Sequence, residues 1–423
     1  MLTKPNRILQ MLAGAAMATA VLAGAQDPAP APAAAPAAAQ TPATPAAAAA
    51  EAPAAAPAPL STFVLTGPLQ WLPPATFDAG PFGKLSVNGI LTGFSQFQSN
   101  SVPGDDAAQA TLSNGQFFLQ KADGKYQYYV QVGAYTMPTL GVPFTNAQNT
   151  VSNFYGPVPV AFLKLPVGKT TQFLIGSLPT LMGAESTFTY QNFNIERGIV
   201  WNQENAINRG LQINQTLGKY LTASLSWNDG YYSNRYSFLS GSMTFTKGPH
   251  TLVYDGMGNL GQTVYVTSAM PAYQNNGSMH AVIYTYSKGA WIISPYFQYG
   301  TYSKNTNVGI LKSTSATGGA FNVSYAFKRG FSLPARVEYL TSSGSATDGS
   351  VNLLGFGAGS AGTTFTATPT YQKGGMYVRG DLGWVHASNY APGSVFGKTG
   401  TASDQFRGVL EFGFIFGSNI TEK

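Results

Sequence analysis

The sequence is poor in the residues on which many kinds of site depend. It has no cysteine among 423 residues, and Asp, Glu, Lys and Arg together make up 9% of the chain. The lack of cysteine excludes disulfides, thiolate metal sites and the acylated cysteine of a lipoprotein. The net charge is +6, and the basic residues are not gathered into the patches that bind nucleic acid. Beyond the N-terminus, no run approaches the ~18 apolar residues that a membrane-spanning helix needs.

The first 25 residues predict a secretory signal peptide. Lys4 and Arg7 form a positive start, residues 8–22 are apolar and small, and Ala23-Gly24-Ala25 offers a small-x-small cleavage site. An uncleaved membrane anchor is the alternative, but the apolar run is short for a membrane span. We therefore expect an exported chain.

Residues 26–60 are almost pure alanine and proline, with only two charged side chains. Proline at every few positions removes backbone donors and opposes helix formation, so we predict a disordered, loosely extended linker. Residues 61–83 contain Trp71 and the pair Pro73-Pro74. We expect this N-terminal segment to lie along the mouth of the domain that follows, or to enter it. That domain spans residues 84–423 in this prediction.

Polar and apolar residues alternate through most of that domain, as the segment 405–416 illustrates. Phe406, Leu410 and Phe412 fall on one face there, and Arg407 and Glu411 on the other. Successive side chains of a strand point to opposite faces of a sheet. The same alternation returns many times without helices that would build a core. It favours a closed barrel whose apolar side faces lipid and whose charged side faces a water-filled lumen.

The connections between the strands support the same architecture. We predict strands at 84–98, 112–121, 126–136, 159–165, 170–177, 209–217, 220–228, 236–246, 250–259, 278–287, 290–300, 317–327, 331–341, 363–372, 376–387 and 405–416. Seven connections are short and rich in Gly, Lys or Asp, which suits hairpin turns, and longer polar loops lie between them. A transmembrane barrel with short periplasmic turns and long outer loops requires this alternation. The sequence therefore predicts an all-β, antiparallel up-and-down barrel of about sixteen strands, with the last strand pairing with the first.

The sequence gives no sign of catalysis. No Ser motif resembles a nucleophile elbow, there is no HExxH, and no histidine pair has metal-ligand spacing. His250 lies beside a short turn, His280 starts a predicted strand and His386 ends one, so we place all three at interfaces or loop edges. We expect no enzyme activity, no catalytic residue, no cofactor and no metal.

Two features indicate a pore. The connection at about 178–208 is long and carries acidic, basic and aromatic side chains, and the late strands carry a charged inward face. If the loop folds inward, its carboxylates face the arginines across a constriction, and the resulting field sets ion selectivity. In the alternative, each arginine pairs with a wall carboxylate nearby and stiffens the barrel. The candidate lining residues are Glu185, Glu196, Arg197, Glu204, Arg336, Glu338, Arg379, Asp381, Arg407 and Glu411.

The most specific motif of the chain lies in two segments, "FLIGSLPTLMGAES" at 173–186 and "NFNIERGIVWNQENAINRGLQI" at 192–213. On these segments the chain resembles the OmpL-like β-barrel porins of Gram-negative envelopes. The positions that match the family pattern are Gly176, Thr180, Gly183, Glu185, Arg197 and Gly210. The strand rhythm extends the similarity over roughly 84–416. The Ala/Pro linker departs from the family pattern, and so do the residues that follow Phe416, where many outer-membrane barrels end.

The resemblance implies a passive outer-membrane porin and names no substrate. We predict diffusion of small hydrophilic solutes or ions through a protein of the Gram-negative outer membrane. The expected partners are outer-membrane lipid, the barrel assembly machinery and those solutes, with a homotrimer as one oligomeric option and no nucleic acid. The alternative function is a structural barrel, an envelope tether or adhesin, whose lumen is plugged by the long loop and by residues 61–82.

Overall fold

The computed structural model describes residues 67–264 and 271–418. The predicted signal peptide and linker lie outside the described residues, as do residues 61–66. The strands are β1 (Ala75–Asp78), β2 (Lys84–Gln98), β3 (Ala108–Lys121), β4 (Gln127–Tyr135), β5 (Val160–Val167), β6 (Thr171–Pro179), β7 (Ile207–Thr216), β8 (Leu221–Asn228), β9 (Phe238–Lys247), β10 (His250–Asn259), β11 (Ser278–Lys288), β12 (Trp291–Tyr302), β13 (Thr314–Ala326), β14 (Phe331–Ser342), β15 (Ala361–Ala367), β16 (Thr370–Lys373), β17 (Met376–Ser388) and β18 (Asp404–Phe416).

The helices are short and lie in the connections between the strands. They are α1 (Ala147–Asn153) and the 3₁₀ turns Gly80–Phe82, Thr189–Gln191, Trp201–Gln203, Gln274–Asn276 and Thr306–Val308. No helix in the described part of the chain combines the length and the apolar character needed to cross a membrane.

The wall is a closed antiparallel ring. From β2 onward each wall strand pairs with the next along the chain, and β18 returns to β2 with the register Arg407↔Gln98 to Phe416↔Gly89. Strands β15 and β16 share one position, because both pair with β14 on one side and β17 on the other. The wall therefore has sixteen strand positions, and the predicted barrel is confirmed.

Alternating exposure confirms the predicted facing of the strands. On β18 the side chains of Phe406 and Leu410 are 60% and 53% exposed, whereas Arg407 is 3% exposed and Glu411 is fully buried. Because the apolar residues are the exposed ones, they form an outward belt, and the charged residues point into the barrel.

The seven short connections all join strands at the same end of the barrel, which we call the turn end. Left-handed glycines close them, such as Gly168 at φ +67° and Gly289 at φ +62°. The long connections lie at the opposite, loop end. β1 pairs with the first residues of β2, so it lies at the turn end.

The predicted strand bounds differ from the structure in a few places. β3 starts at Ala108 rather than at residue 112, and the prediction contained neither β1 nor α1. The predicted strand 363–372 is wrong as one continuous element, because it is interrupted between Ala367 and Thr370. Pro369 has no backbone N–H to donate to the ladder, which explains the break.

Candidate functional site: the barrel interior

The long connection between β6 and β7, residues 180–206, folds into the barrel, and we call it the inward loop. Thr189 donates from its hydroxyl to Glu411 of β18 at 2.7 Å, and the Gln298 amide of β12 donates to the Val200 carbonyl at 3.3 Å. β12 and β18 are well separated around the ring. The loop therefore crosses the interior instead of covering the loop end.

Hydrogen bonds fasten the base of the inward loop. The backbone N–H of Thr180 donates to the carbonyl of Ala206 at 3.1 Å, and the Thr180 hydroxyl bonds Asn205 at 2.6 Å. The Met182 N–H donates to the same hydroxyl at 2.9 Å. The threonine of the family-like pattern thus joins the two ends of the loop.

Arg336 on β14 anchors the middle of the loop to the wall. Its guanidinium pairs with Glu185 of the loop, and its Nε lies 3.2 Å from Glu338 on the same strand. Glu338 in turn accepts the backbone N–H groups of Ile199 and Val200, each at 3.2 Å. A Cβ at Gly198 would fall 1.8 Å from the Glu338 carboxylate, so the close approach requires glycine there.

Arg379 on β17 anchors the tip of the loop. Its Nε donates to Glu411 at 3.0 Å, across neighbouring wall strands. Its two terminal nitrogens donate to the carbonyls of Thr189 and Asn192 at 3.0 and 3.2 Å. All of its donor nitrogens are therefore used, and the side chain is completely buried.

Arg407 on β18 joins the inward loop to the connection between β4 and β5. It pairs with Glu196 at 2.9 Å and donates to the carbonyls of Thr139 and Val142 at 2.8 and 2.6 Å. The backbone N–H of Glu196 also donates to Asp381 of β17 at 2.7 Å. Arg407 of β18 therefore binds two interior segments, the inward loop and the connection between β4 and β5.

Arg197 does not pair with a carboxylate in any ion pair of the described residues. Its side chain donates to the carbonyls of Thr187 and Pro138 and lies 4.3 Å from the ring centre of Trp201. Its charge is thus held by backbone oxygens and an aromatic face.

The ten predicted lining residues all lie inside the barrel and are buried. Arg336 and Arg407 meet carboxylates of the loop, while Arg379 meets a wall carboxylate, so both predicted arrangements of the arginines occur. The charges touch one another and do not face each other across an open gap. Their role in lining a pore stays a prediction.

Glu204 differs from the other carboxylates of the loop, because its contact is with a tyrosine. The hydroxyl of Tyr296 on β12 donates to Glu204. Burial raises the pKa of Glu204 well above its usual range, the Tyr296 hydrogen bond opposes that rise, and the charges of Glu185 and Asp255 add to it.

Part of the interior is apolar, whereas the alternation predicts a charged, wet lumen. Val253, Met257, Met279 and Ile283, on β10 and β11, point inward and pack in one buried cluster with loop residues such as Leu354. A water-filled lumen would favour polar side chains at these inward positions, so this apolar cluster departs from the prediction.

Residues 67–74 lie at the turn end of the barrel and touch the inward loop, and we call them the N-terminal strap. The N–H of Gly67 donates to the carbonyl of Gln191 at 2.7 Å. The Trp71 ring packs edge-on against Phe118 and Tyr190, with ring centres 5.5 and 5.4 Å apart. The Pro73 carbonyl accepts from Ser418 at 2.7 Å, and Gln70 and Gln372 exchange two hydrogen bonds of 2.7 Å.

The histidines lie away from the interior charges. His250 bonds Tyr284 and His280 bonds Tyr254 on exposed surface, and His386 lies 3.0 Å from Asp404 near the loop end. Among residues 67–264 and 271–418, no three His, Asp or Glu side chains are grouped in a way that could hold a metal ion.

Comparison with solved structures shows the same fold in porins. The barrel is similar to an anion-selective porin from Comamonas acidovorans, with a TM-score of 0.56 and 10% identity over 78% of this chain and 99% of that one. It is similar to the trimer form of OmpT of Vibrio cholerae, with a TM-score of 0.50 and 12% identity over 78% and 99%. It is also similar to Salmonella typhi OmpF in complex with daunomycin, with a TM-score of 0.51 and 12% identity over 79% of this chain and 98% of that one.

Sequence comparison with curated proteins yields no match. The family model described as "Putative beta-barrel porin-2, OmpL-like" matches residues 84–416, which span the whole barrel wall from the start of β2 to the end of β18. The residues matched by the family model are therefore the same residues that form the closed sixteen-strand wall. The chain therefore belongs to this OmpL-like family of outer-membrane β-barrel porins.

Proposed function

We propose that the barrel lets small hydrophilic solutes and ions diffuse passively across the outer membrane. The observation that carries this proposal is the closed wall with an apolar outer belt and an inner face rich in charge. An apolar belt lets the wall contact lipid, and charged inner side chains replace part of the hydration shell of a passing solute. The inward loop occupies much of the cross-section, so we expect a low size limit.

Planar bilayer recording of the purified mature chain tests this function. We expect steady conductance steps in KCl and exclusion of sugars above a small size. A barrel that inserts into vesicles but never conducts contradicts the proposal. Insertion is followed independently by protection of the wall from protease.

A structural barrel with a plugged lumen is the second candidate. It is favoured by the inward loop and the N-terminal strap, which both place buried side chains in the interior. A chain lacking residues 26–82 separates the two candidates. A porin conducts before and after the deletion, whereas a plugged anchor is silent until the deletion is made.

The charged interior provides a second test, directed at ion selectivity. We propose that the loop and wall charges set the preference between cations and anions. The reversal potential in a salt gradient is compared for the wild type, Glu185→Gln and Arg379→Gln. The two variants should shift it in opposite directions, and an unchanged potential in both rules out a role in selectivity.

We further propose that the chain is exported by its signal peptide in a Gram-negative cell and inserted by the barrel assembly machinery. We propose no catalytic role, because the three histidines lie apart from the interior charges. The trimer form of the similar Vibrio cholerae protein supports a homotrimer here. Chemical cross-linking in native membranes tests that assembly, with a single monomeric band as the contrary result.

A further inference from the structure

Within the described residues, three buried carboxylates of the interior form no ion pair: Glu204, Asp255 and Asp381. Glu204 of the inward loop is 4% exposed and Asp255 of β10 is 2% exposed. Within the described residues, the interior ion pairs use Glu185, Glu196, Glu338 and Glu411. Asp381, a further interior carboxylate, accepts from the Glu196 backbone N–H and from the Thr368 hydroxyl.

Gly183 brings Glu204 and Asp255 to one place. A Cβ at Gly183 would fall 1.7 Å from Oε2 of Glu204. Asp255 lies against the backbone N–H of the same glycine. Gly183 of the loop therefore lies next to two carboxylates, Glu204 of the loop and Asp255 of the wall.

Glu204 accepts from the Tyr296 hydroxyl, and Asp255 interacts with the Gly183 N–H and the Ser242 hydroxyl, yet in the described structure each carboxylate keeps one oxygen that no donor reaches. Oε2 of Glu204 and Oδ1 of Asp255 are both buried and have no hydrogen-bond partner among the described residues. Asp255 lies opposite Ser242, and Ser242 opposite Ser224, in one row across β10, β9 and β8. The Ser224 hydroxyl is also buried without a partner in the described structure. The site therefore combines two buried carboxyl groups with unused oxygen atoms.

Buried ionised carboxylates without a counter-charge are strongly unfavourable, so such a pair needs a cation or a proton. Hard divalent cations take oxygen ligands from carboxylates, hydroxyls and water. Two carboxylates, with the neighbouring hydroxyls and water completing the shell, provide this type of ligand set. The loop carboxylate and the wall carboxylate come from different elements, so a shared cation would join them.

We propose that Glu204 and Asp255 bind one Ca²⁺ or Mg²⁺ ion that fastens the inward loop to strand β10. The ion would do on this side of the barrel what Arg336, Arg379 and Arg407 do on the other. There, arginines join the loop to the late strands, while β10 offers no basic side chain to the loop. The site goes beyond solute diffusion and does not depend on it.

Cation-dependent unfolding of the whole mature protein tests this site. The barrel is purified in detergent, stripped with EDTA and heated with and without millimolar Ca²⁺ or Mg²⁺, while β-structure is followed by circular dichroism. We expect the Tm to rise by several degrees with the cation, and Glu204→Gln or Asp255→Asn to abolish that rise. Asp348→Asn removes a carboxylate from an exposed loop and should keep the full rise.

A direct binding measurement covers the case in which a variant folds poorly. Terbium, a luminescent probe for calcium sites, should bind the wild type at one ion per chain and be displaced by Ca²⁺. No cation effect in the wild type, or an equal effect in the variants, overturns the proposal. A second outcome also overturns the proposal: acid raises the Tm, the cation does not, and Glu204→Gln removes the effect of acid. In that case the two carboxylates share a proton and do not bind a cation.

Discussion

At the scale of single residues, the interior is governed by buried arginines with more than one partner. Arg336 has no exposed surface, and both Glu185 and Glu338 depend on it for a counter-charge. Desolvation makes such a group costly to bury, and only the combined ion pairs and hydrogen bonds offset that cost. Removing one partner therefore harms the fold more than the pair itself stabilises it.

Arg336→Gln should lower the free energy of unfolding by about 3–5 kcal/mol, because two carboxylates are left buried without a cation. Urea titration of the barrel in lipid vesicles measures the change. Arg329→Gln is the matched control, since that arginine is exposed in a short turn. If Arg336→Gln lowers the free energy of unfolding no more than Arg329→Gln does, water solvates the interior carboxylates.

Gly198→Ala tests the close approach of the loop to the wall. The added methyl meets the Glu338 carboxylate at 1.8 Å, so the loop must move away from the N–H donors that bind it. Overpacking of this kind costs about 1–3 kcal/mol. Gly408→Ala is the control, because no atom lies within 4 Å of its added Cβ. Equal unfolding curves for the two variants would contradict the docking described for the loop.

At the scale of elements, the inward loop and the N-terminal strap meet in an aromatic cluster. Trp71 lies edge-on to Phe118 of the wall and to Tyr190 of the loop. Aromatic pairs of this kind contribute about 0.5–1.5 kcal/mol each beyond their buried area. The strap is thus held at the turn end by contacts with both the wall and the loop.

Trp71→Ala should release the strap from the turn end and raise the single-channel conductance. The reason is that the indole joins the strap to the inward loop, which itself narrows the lumen. Phe82→Ala is the control, because that ring is 68% exposed and lies outside the cluster. Equal conductance in Trp71→Ala and the wild type would place the strap away from the solute path.

The break between strands β15 and β16 gives the wall a contact with the inward loop. The break at Thr368 and Pro369 separates two short strands that share one wall position. At this break, the Thr368 hydroxyl donates to Asp381 of β17 and accepts from the Asn194 amide of the inward loop. A proline in the sequence thus creates a contact point for the inward loop.

At the scale of the whole molecule, the apolar belt decides where the protein resides. Leu410→Arg should destabilise the barrel in vesicles by about 2–4 kcal/mol, because a charge would face acyl chains near mid-depth. Leu311→Arg places the same charge in an exposed loop and should change the stability little. If both variants unfold alike, the face that carries Leu410 does not contact lipid.

The strand arrangement was largely predictable from the sequence, whereas the interior was not. All sixteen wall positions correspond to predicted strands, because a period of two and glycine-rich turns are local properties. The inward facing of the predicted lining residues on the strands follows from the same alternation of side chains. The pairing of Arg336 with Glu185 does not, since 151 positions separate them and the path of the loop brings them together.

The sequence by itself therefore determined the barrel, its strand order and the face that each side chain occupies. The folded chain alone shows which charges meet, that part of the interior is apolar, and that Glu204 and Asp255 lie beside Gly183 with no ion pair among the described residues. The physical reason is that a strand's facing depends on neighbours along the chain. Contacts inside a closed ring depend on how the ring closes and on where a long loop crosses it.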